Sequence, residues 1–97
     1  MKRDENSEPL KAVIGRLLKA YGHEEKYLER QVEAEWKNML GEVIARKTTS
    51  IFLKEGILTV SLQSSIIRDE LSFAREKLIK DLNTKLGQEL ITEIRLK

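Results

Sequence analysis

The segment from Thr48 to Ser65 constrains the fold most strongly, because its sequence predicts a β-hairpin that leads directly into a helix. The turn falls at residues 54–57, where Gly56 supplies the positive φ that a two-residue hairpin loop requires. A hairpin alone is marginally stable in water, so we expect helices to cover one of its faces. Pairing outward from the turn predicts that this face carries three cross-strand pairs, Leu53 with Leu58, Ile51 with Val60 and Thr49 with Leu62.

The opposite face of the predicted hairpin is chemically mixed. It carries six residues, Ser50, Phe52, Lys54, Ile57, Thr59 and Ser61. On this face Phe52 and Ile57 form a diagonal apolar patch beside Lys54. Two interpretations of the patch are open at this point, burial under the first helix and exposure for contact with a partner. An exposed aromatic side chain with cations nearby on a small sheet is typical of nucleic-acid binding.

Hydrophobic periodicity predicts an amphipathic helix near the start of the sequence, with a stripe from Leu10 to Tyr21. We expect this first helix to begin at residues 7–9, with Ser7 as its cap and Pro9 in its first turn. Gly22 is a natural stop for it.

A second amphipathic helix is predicted from His23 to residues 46–47, where cations favour a helix C-terminus. Its apolar stripe includes Trp36, which we interpret as a core anchor, with base stacking or partner binding as the alternative. Gly41 lies inside this helix at a cost of about 1 kcal/mol relative to alanine. We attribute this glycine to the close approach of another element.

A third helix follows the hairpin, with a serine at 64–65 as its cap, and extends to Leu86. It is either continuous or broken near Phe73 or Asn83. Alternating apolar residues over 89–96 predict a final strand. The resulting order, helix, helix, strand, strand, helix, strand, predicts an α+β domain with helices packed on a three-stranded sheet.

The length and composition are those of one small domain. With 97 residues, 40% of them hydrophobic and 35% charged, we expect a flexible N-terminus over residues 1–7 and a single domain over 8–97. The absence of cysteine excludes disulfides and thiolate metal sites. No apolar run approaches the roughly 20 residues of a membrane span, and the N-terminus lacks the apolar core of a signal peptide. We therefore expect a soluble cytoplasmic protein that does not associate with membranes.

The charges are distributed unevenly. Residues 1–35 hold seven basic and eight acidic side chains, whereas residues 36–97 hold eleven basic and eight acidic ones. This excess of positive charge favours an anionic partner for the later part of the sequence, with a solvated charged surface as the alternative. The cations that we predict to contact phosphates are Arg46, Lys47, Lys54, Arg68 and Arg75.

The residues give little support for catalysis. His23 is the only histidine, and we expect it to be a surface residue in an interhelical loop. The glutamates of the second helix predict an exposed helix face: Glu24, Glu25, Glu29, Glu33 and Glu35. No glycine-rich phosphate loop, nucleophile elbow or dinucleotide motif is present. We therefore expect a protein that is not an enzyme and that binds neither a cofactor nor a metal ion.

An ordered series of residues across positions 28–96 resembles the DciA-like family of bacterial proteins. The series is Trp36, Gly41, Ile44-Ala45, Thr48-Thr49, the hairpin residues 55–60, Ser64-Ser65, Glu70-Leu71 and Leu82-Asn83. This resemblance implies a compact fold related to KH domains. It also implies a role in recruiting or loading a replicative helicase of the DnaB type, with affinity for DNA.

The resemblance, taken with the positive charge and the apolar patch, implies a DNA-replication accessory that contacts the replicative helicase and single-stranded DNA. Phe52 and Ile57 are the predicted apolar contacts with a partner or with bases. Two alternatives are open, a general KH-like module that binds RNA or DNA, and a protein-protein interaction domain without a nucleic-acid role. Salt distinguishes them, because binding through phosphates weakens steeply as the salt concentration rises, whereas binding through an apolar patch is much less sensitive.

Overall fold

The computed structural model describes residues 9–97, so the predicted Ser7 cap and the predicted flexible segment 1–7 lie outside the described residues. Within that range the elements follow the order α-α-β-β-α-α-β. Their bounds are α1 (Leu10–Ala20), α2 (Glu24–Lys47), β1 (Thr48–Lys54), β2 (Ile57–Leu62), α3 (Ser65–Ser72), α4 (Arg75–Leu86) and β3 (Glu93–Leu96). The predicted α+β class is confirmed.

The hairpin of β1 and β2 forms around the predicted turn. Glu55 has φ of 50° and Gly56 has φ of 82°, and two consecutive positive values are typical of the turn that matches the twist of a two-residue hairpin. The predicted pairs of Leu53 with Leu58 and of Ile51 with Val60 are confirmed.

The third predicted pair of the hairpin is wrong. Leu62 pairs with Thr48 instead of Thr49, because the register shifts between Thr48 and Ser50. A bulge of this kind places two residues of one strand opposite one residue of its partner. The Thr49 hydroxyl donates instead to the carbonyl of Ser61, 3.2 Å away.

Strand β3 joins the sheet beside β2 and runs parallel to it, in the strand order β1-β2-β3. It is shorter than the predicted 89–96 because a side chain engages the backbone just before it. The amide of Asn83 accepts from the N–H of Ile91 at 2.8 Å and donates to the Ile91 carbonyl at 2.9 Å. Asn83 is therefore a buried residue inside α4, and the alternative of a helix break there is wrong.

The break predicted near Phe73 is confirmed, and it divides the third predicted helix into α3 and α4. Ser64 caps α3, since its side chain accepts from the N–H of Ile67 at 3.1 Å. The α3–α4 pair forms the crossover that a parallel connection from β2 to β3 requires.

The core lies between the sheet and the helices. α2 packs against β1, α3 against β2, α4 against β3, and α2 also packs against α4. The buried apolar residues are Val32, Trp36, Leu53, Leu58, Val60, Leu62, Leu71, Leu78, Leu82, Leu86, Ile91 and Ile94. Trp36 is 1% exposed, which confirms its prediction as a core anchor. Its indole N–H donates to the hydroxyl of Thr48 at 3.0 Å, and that hydroxyl donates to the Ile44 carbonyl at 2.8 Å.

Glycine is required at position 41 for a different reason from the one predicted. Its φ of 89° and ψ of 174° are non-helical, so α2 consists of two helical segments joined at this residue. A Cβ built there would meet nothing within 4 Å, so the explanation by close approach is wrong. Only glycine adopts this backbone conformation without strain.

Candidate nucleic-acid and partner interface

One face of the sheet has no buried residue. The strand register places two rows across it: Phe52, Thr59 and Arg95 in one, and Lys54, Ile57 and Glu93 in the next. Residues that pair directly across strands point to the same side of a sheet. We call this surface, together with Ser50 and Ser61, the open face.

Phe52 is the large apolar side chain of the open face, on the edge strand β1, and it is 56% exposed. Ile57 beside it is half-buried. The first helix does not bury this patch, because α1 packs against α2, on the opposite side of the sheet. Of the two interpretations drawn from the sequence, burial under the first helix is therefore wrong.

Arg95 adds a cation to the open face that the sequence reasoning missed. It lies two strands from Phe52, about 10 Å across the sheet, with Thr59 between them. Its Nε donates to the Glu93 carboxylate at 2.7 Å, and both side chains remain substantially exposed. The position of Arg95 beside Thr59 could not be predicted from the sequence, because the pattern of residues within each strand does not show that β3 pairs in parallel with β2.

Three of the predicted phosphate-binding cations meet at one end of the sheet. Arg46 and Lys47 close α2, and the Lys47 carbonyl accepts from the N–H of Gln63 at 2.8 Å. The Arg68 guanidinium approaches the adjacent Leu62 carbonyl, with a distance of 3.4 Å. The end of α2, the end of β2 and the start of α3 therefore bring these three residues to the same end of the sheet.

A fourth cation joins them through β3. The Lys97 carbonyl accepts from the N–H of Leu62 at 2.9 Å, and the Lys97 N–H donates to the carbonyl of Val60 at 2.9 Å. We call this cluster the basic end of the sheet, comprising Arg46, Lys47, Arg68 and Lys97. Arg46, Lys47 and Lys97 are exposed, and Arg68 is half-buried.

The other two predicted cations lie elsewhere. Lys54 ends β1 at the turn, six residue steps from Thr48, which is about 20 Å along a strand. Arg75 begins α4, and its guanidinium lies 3.4 Å from the Ser72 carbonyl at the helix junction. The five predicted cations therefore do not form one patch.

Two glutamate side chains of α2 accept hydrogen bonds from backbone N–H groups along the outer edge of β1. The N–H of Leu53 donates to Glu29 Oε2 at 2.9 Å, and the N–H of Glu55 donates to Glu25 Oε2 at 3.2 Å. Four residues of a helix span about 6 Å and two residues of a strand span about 6.7 Å. The spacing of the two glutamates along α2 therefore matches the spacing of the two N–H groups along β1. The sequence reasoning treated these side chains only as an exposed helix face and missed this role. The i, i+4 spacing of the glutamates was the available signal.

His23 precedes α2 and is exposed, as predicted. Among residues 9–97, no group of three or more His, Asp or Glu side chains could hold a metal ion. None of the helices formed by these residues is long and apolar enough to cross a membrane.

Comparison with known proteins identifies the family. A family model described as "Dna[CI] antecedent, DciA" matches residues 9–96, which is most of the chain. The chain belongs to the DciA family. The resemblance inferred from the ordered series around the hairpin is thereby confirmed.

Curated relatives of this DciA domain have modest identity to it. A "UPF0232 protein in recF-gyrB intergenic region" from Mycolicibacterium smegmatis is 28% identical over 87 residues, covering 90% of this chain and 45% of the relative. A UPF0232 protein from Rhodococcus jostii (strain RHA1) is 25% identical over 93 residues, covering 96% of this chain and 50% of the relative. The chain thus spans about half the length of the curated relatives it matches. No solved structure matches it, so the KH-like description of the fold stays a prediction.

Proposed function

We propose that this DciA domain is a non-enzymatic DNA-replication accessory that contacts a replicative helicase of the DnaB type and binds single-stranded DNA. Membership of the DciA family supports the replication role. The observation that carries the binding proposal is the exposed Phe52 on the open face, with Lys54 two residues along the same strand and Arg95 about 10 Å across the sheet. The domain would act in the cytoplasm.

The DNA would lie across the open face and reach the basic end. A base would stack on Phe52, as aromatic side chains on exposed sheets commonly bind single strands. Arg95 and Lys54 would contact phosphates on either side of that base. Ser50 and Ser61 lie between Phe52 and the basic end, so the sheet surface leads from the aromatic side chain toward Lys47 and its neighbours.

The contact with the helicase would act through binding energy alone, without any reaction catalysed by this chain. A protein that binds one helicase conformation more tightly shifts the helicase toward that conformation, or brings it to DNA. Phe52 and Ile57 would supply an apolar contact for such a partner, which would then compete with a DNA base for Phe52.

DNA binding is tested by fluorescence anisotropy of a labelled oligodeoxythymidine titrated with the full 97-residue chain at several salt concentrations. Because base stacking contributes about 1–3 kcal/mol per base, we expect Phe52→Ser to weaken binding by about 5- to 150-fold. Lys47→Gln should lower the salt slope by about 0.7, the value expected for one lost phosphate contact with a single strand. Lys80→Gln, an exposed α4 cation, is the matched control and should leave both values unchanged.

Helicase binding is tested by size-exclusion chromatography with light scattering on the cognate helicase mixed with this chain. We expect co-migration with the wild type and its loss with Phe52→Ser.

DNA binding that Phe52→Ser leaves intact would contradict the open-face site. Tighter binding to an RNA of the same sequence would support the general nucleic-acid module instead, and no binding to DNA or helicase would refute the proposed function.

A further inference from the structure

α3 presents a pair of large apolar side chains to solvent. Ile66 is 75% exposed, and Phe73, the residue that ends the helix, is 88% exposed. Phe73 keeps helical backbone angles, with φ of −78° and ψ of −12°, so the spacing of seven residues places both side chains along one line, about 10.5 Å apart. Leu71 lies about 140–160° around the helix from this pair and is buried in the core. The pair therefore faces away from the sheet.

Two carboxylates lie within the same face of α3. Asp69 and Glu70 are about 60° and about 40° around the helix from Ile66, and both are exposed. Within residues 9–97 neither carboxylate forms an ion pair. Arg68, the one cation of α3, points away from them, since its guanidinium approaches the Leu62 carbonyl at the basic end. We call the surface formed by Ile66, Asp69, Glu70 and Phe73 the α3 face.

A groove leads from the α3 face toward the open face. It has a volume of about 640 Å³ and lies between the α3–α4 junction and the start of β3. Its lining includes Phe73, Ala74 and Ile79 on the helical side and Thr92, Glu93 and Ile94 on the strand side. Glu93 is also a member of the open face, in the same row as Ile57. Because β3 is an edge strand, the two surfaces are continuous around it.

The charge of the α3 face favours a protein over a nucleic acid as its partner. Asp69 and Glu70 would repel a phosphate backbone, whereas they complement lysine and arginine side chains of a protein. The spacing of Ile66 and Phe73 is that of the apolar anchors by which an amphipathic helix docks in a groove of its partner. The partner surface should therefore be apolar and bordered by cations.

We propose that the helicase docks on the α3 face through such a surface, and that the contact continues along the groove and around β3 to the open face. The identity of the partner rests on the proposed function, and the α3 face adds where the helicase binds. DNA and the helicase would share Phe52, but only the helicase would contact Ile66 and Phe73. The two binding activities should therefore be separable by substitution.

The experiment measures two affinities of the full 97-residue chain. Biolayer interferometry gives the affinity for the cognate helicase, and fluorescence anisotropy gives the affinity for a labelled oligodeoxythymidine. Ile66→Ser/Phe73→Ser removes the apolar pair of the α3 face. Both side chains are exposed, so folding should be retained, and circular dichroism verifies this. Val43→Ser removes an exposed apolar residue of α2 outside both surfaces and is the matched control.

We expect Ile66→Ser/Phe73→Ser to weaken helicase binding by about 10-fold or more and to leave DNA binding unchanged. Phe52→Ser should weaken both, and Val43→Ser should weaken neither. Asp69→Asn/Glu70→Gln should weaken helicase binding at low salt and make it less dependent on the salt concentration, because the carboxylates would no longer attract cations of the helicase.

The possible failures are distinguishable. A wild type that does not bind the helicase refutes the proposed function, and the α3 contact with it. Helicase binding by the wild type that the folded Ile66→Ser/Phe73→Ser variant retains in full overturns the α3 contact alone. A loss of DNA affinity in that variant also overturns it, since the α3 face would then belong to the DNA site. Tighter helicase binding by Asp69→Asn/Glu70→Gln would overturn it as well.

Discussion

The side chain of Asn83 should be one of the most costly polar groups to remove from this domain. It pairs with both the N–H and the carbonyl of Ile91, at 2.8 and 2.9 Å, and both residues are buried. Asn83→Leu keeps a similar volume but leaves two buried backbone groups without partners. A buried group that loses its partner costs about 1–3 kcal/mol. The expected loss in the free energy of unfolding is therefore about 2–6 kcal/mol.

That loss is large for a domain of this length, whose total stability is expected to be about 5–15 kcal/mol. Urea denaturation followed by circular dichroism measures the free energy, and thermal unfolding should show a melting temperature lower by at least about 10 °C. Asn38→Leu is the matched control, because Asn38 is exposed and its amide donates only to Glu35. We expect that control to change stability by less than about 0.5 kcal/mol.

Hydrogen exchange gives an independent readout of the same contact. The amide of Ile91 should be strongly protected in the wild type and should exchange much faster in Asn83→Leu if the domain still folds. A loss of stability no greater than that of Asn38→Leu would refute the reasoning, since it would mean that Ile91 finds other partners at no cost.

Three further substitutions test the packing, the backbone and the sheet edge. Trp36→Ala should lower the free energy of unfolding by about 3–5 kcal/mol in urea denaturation, and an unchanged melting temperature would contradict its core position. Gly41→Ala should lower thermal stability by about 1–3 kcal/mol because of its φ of 89°, whereas Gly15→Ala, inside α1 with open space around it, should raise it by about 0.4–1 kcal/mol. Glu29→Ala should expose the Leu53 N–H at the edge of β1 and increase aggregation measured by light scattering, whereas Glu29→Gln, which retains an acceptor, should not.

Local sequence chemistry was sufficient to predict the hairpin. Gly56 and the alternation of apolar residues determine the turn and two of the three predicted pairs, and both depend only on neighbouring residues. The third predicted pair was wrong because of the bulge at Thr49. Nothing in the sequence of β1 marks the point at which the register changes, so this bulge could not be predicted. The same local signals located the break near Phe73 but could not decide between it and Asn83.

Contacts between distant residues could not be predicted in the same way. The engagement of Ile91 by Asn83 shortens β3 at its start, and the parallel pairing of β3 places Arg95 and Lys97 beside residues of β2. The open face followed from strand periodicity, but its exposure depends on where α1 packs. The grouping of Arg46 and Lys47 with Arg68 likewise depends on the arrangement of three elements that are separate in sequence.

The parallel arrangement of β2 and β3 also orders the events of folding. The thirty residues 63–92 separate the two strands, and they include both α3 and α4. The hairpin can close within microseconds from local contacts, whereas β3 must wait until the intervening helices have brought it back. During that interval the second edge of β2 is unpaired, and unpaired edges of this kind recruit other chains. The slowest and most aggregation-sensitive step for this domain should therefore be the docking of β3. The Gly56 carbonyl accepts from the N–H of Thr92 at 2.8 Å, and Asn83 engages Ile91, so both residues hold the start of β3 in place. Substitutions at Asn83 or Gly56 that delay this docking should lower the yield of refolding as well as the stability of the folded state.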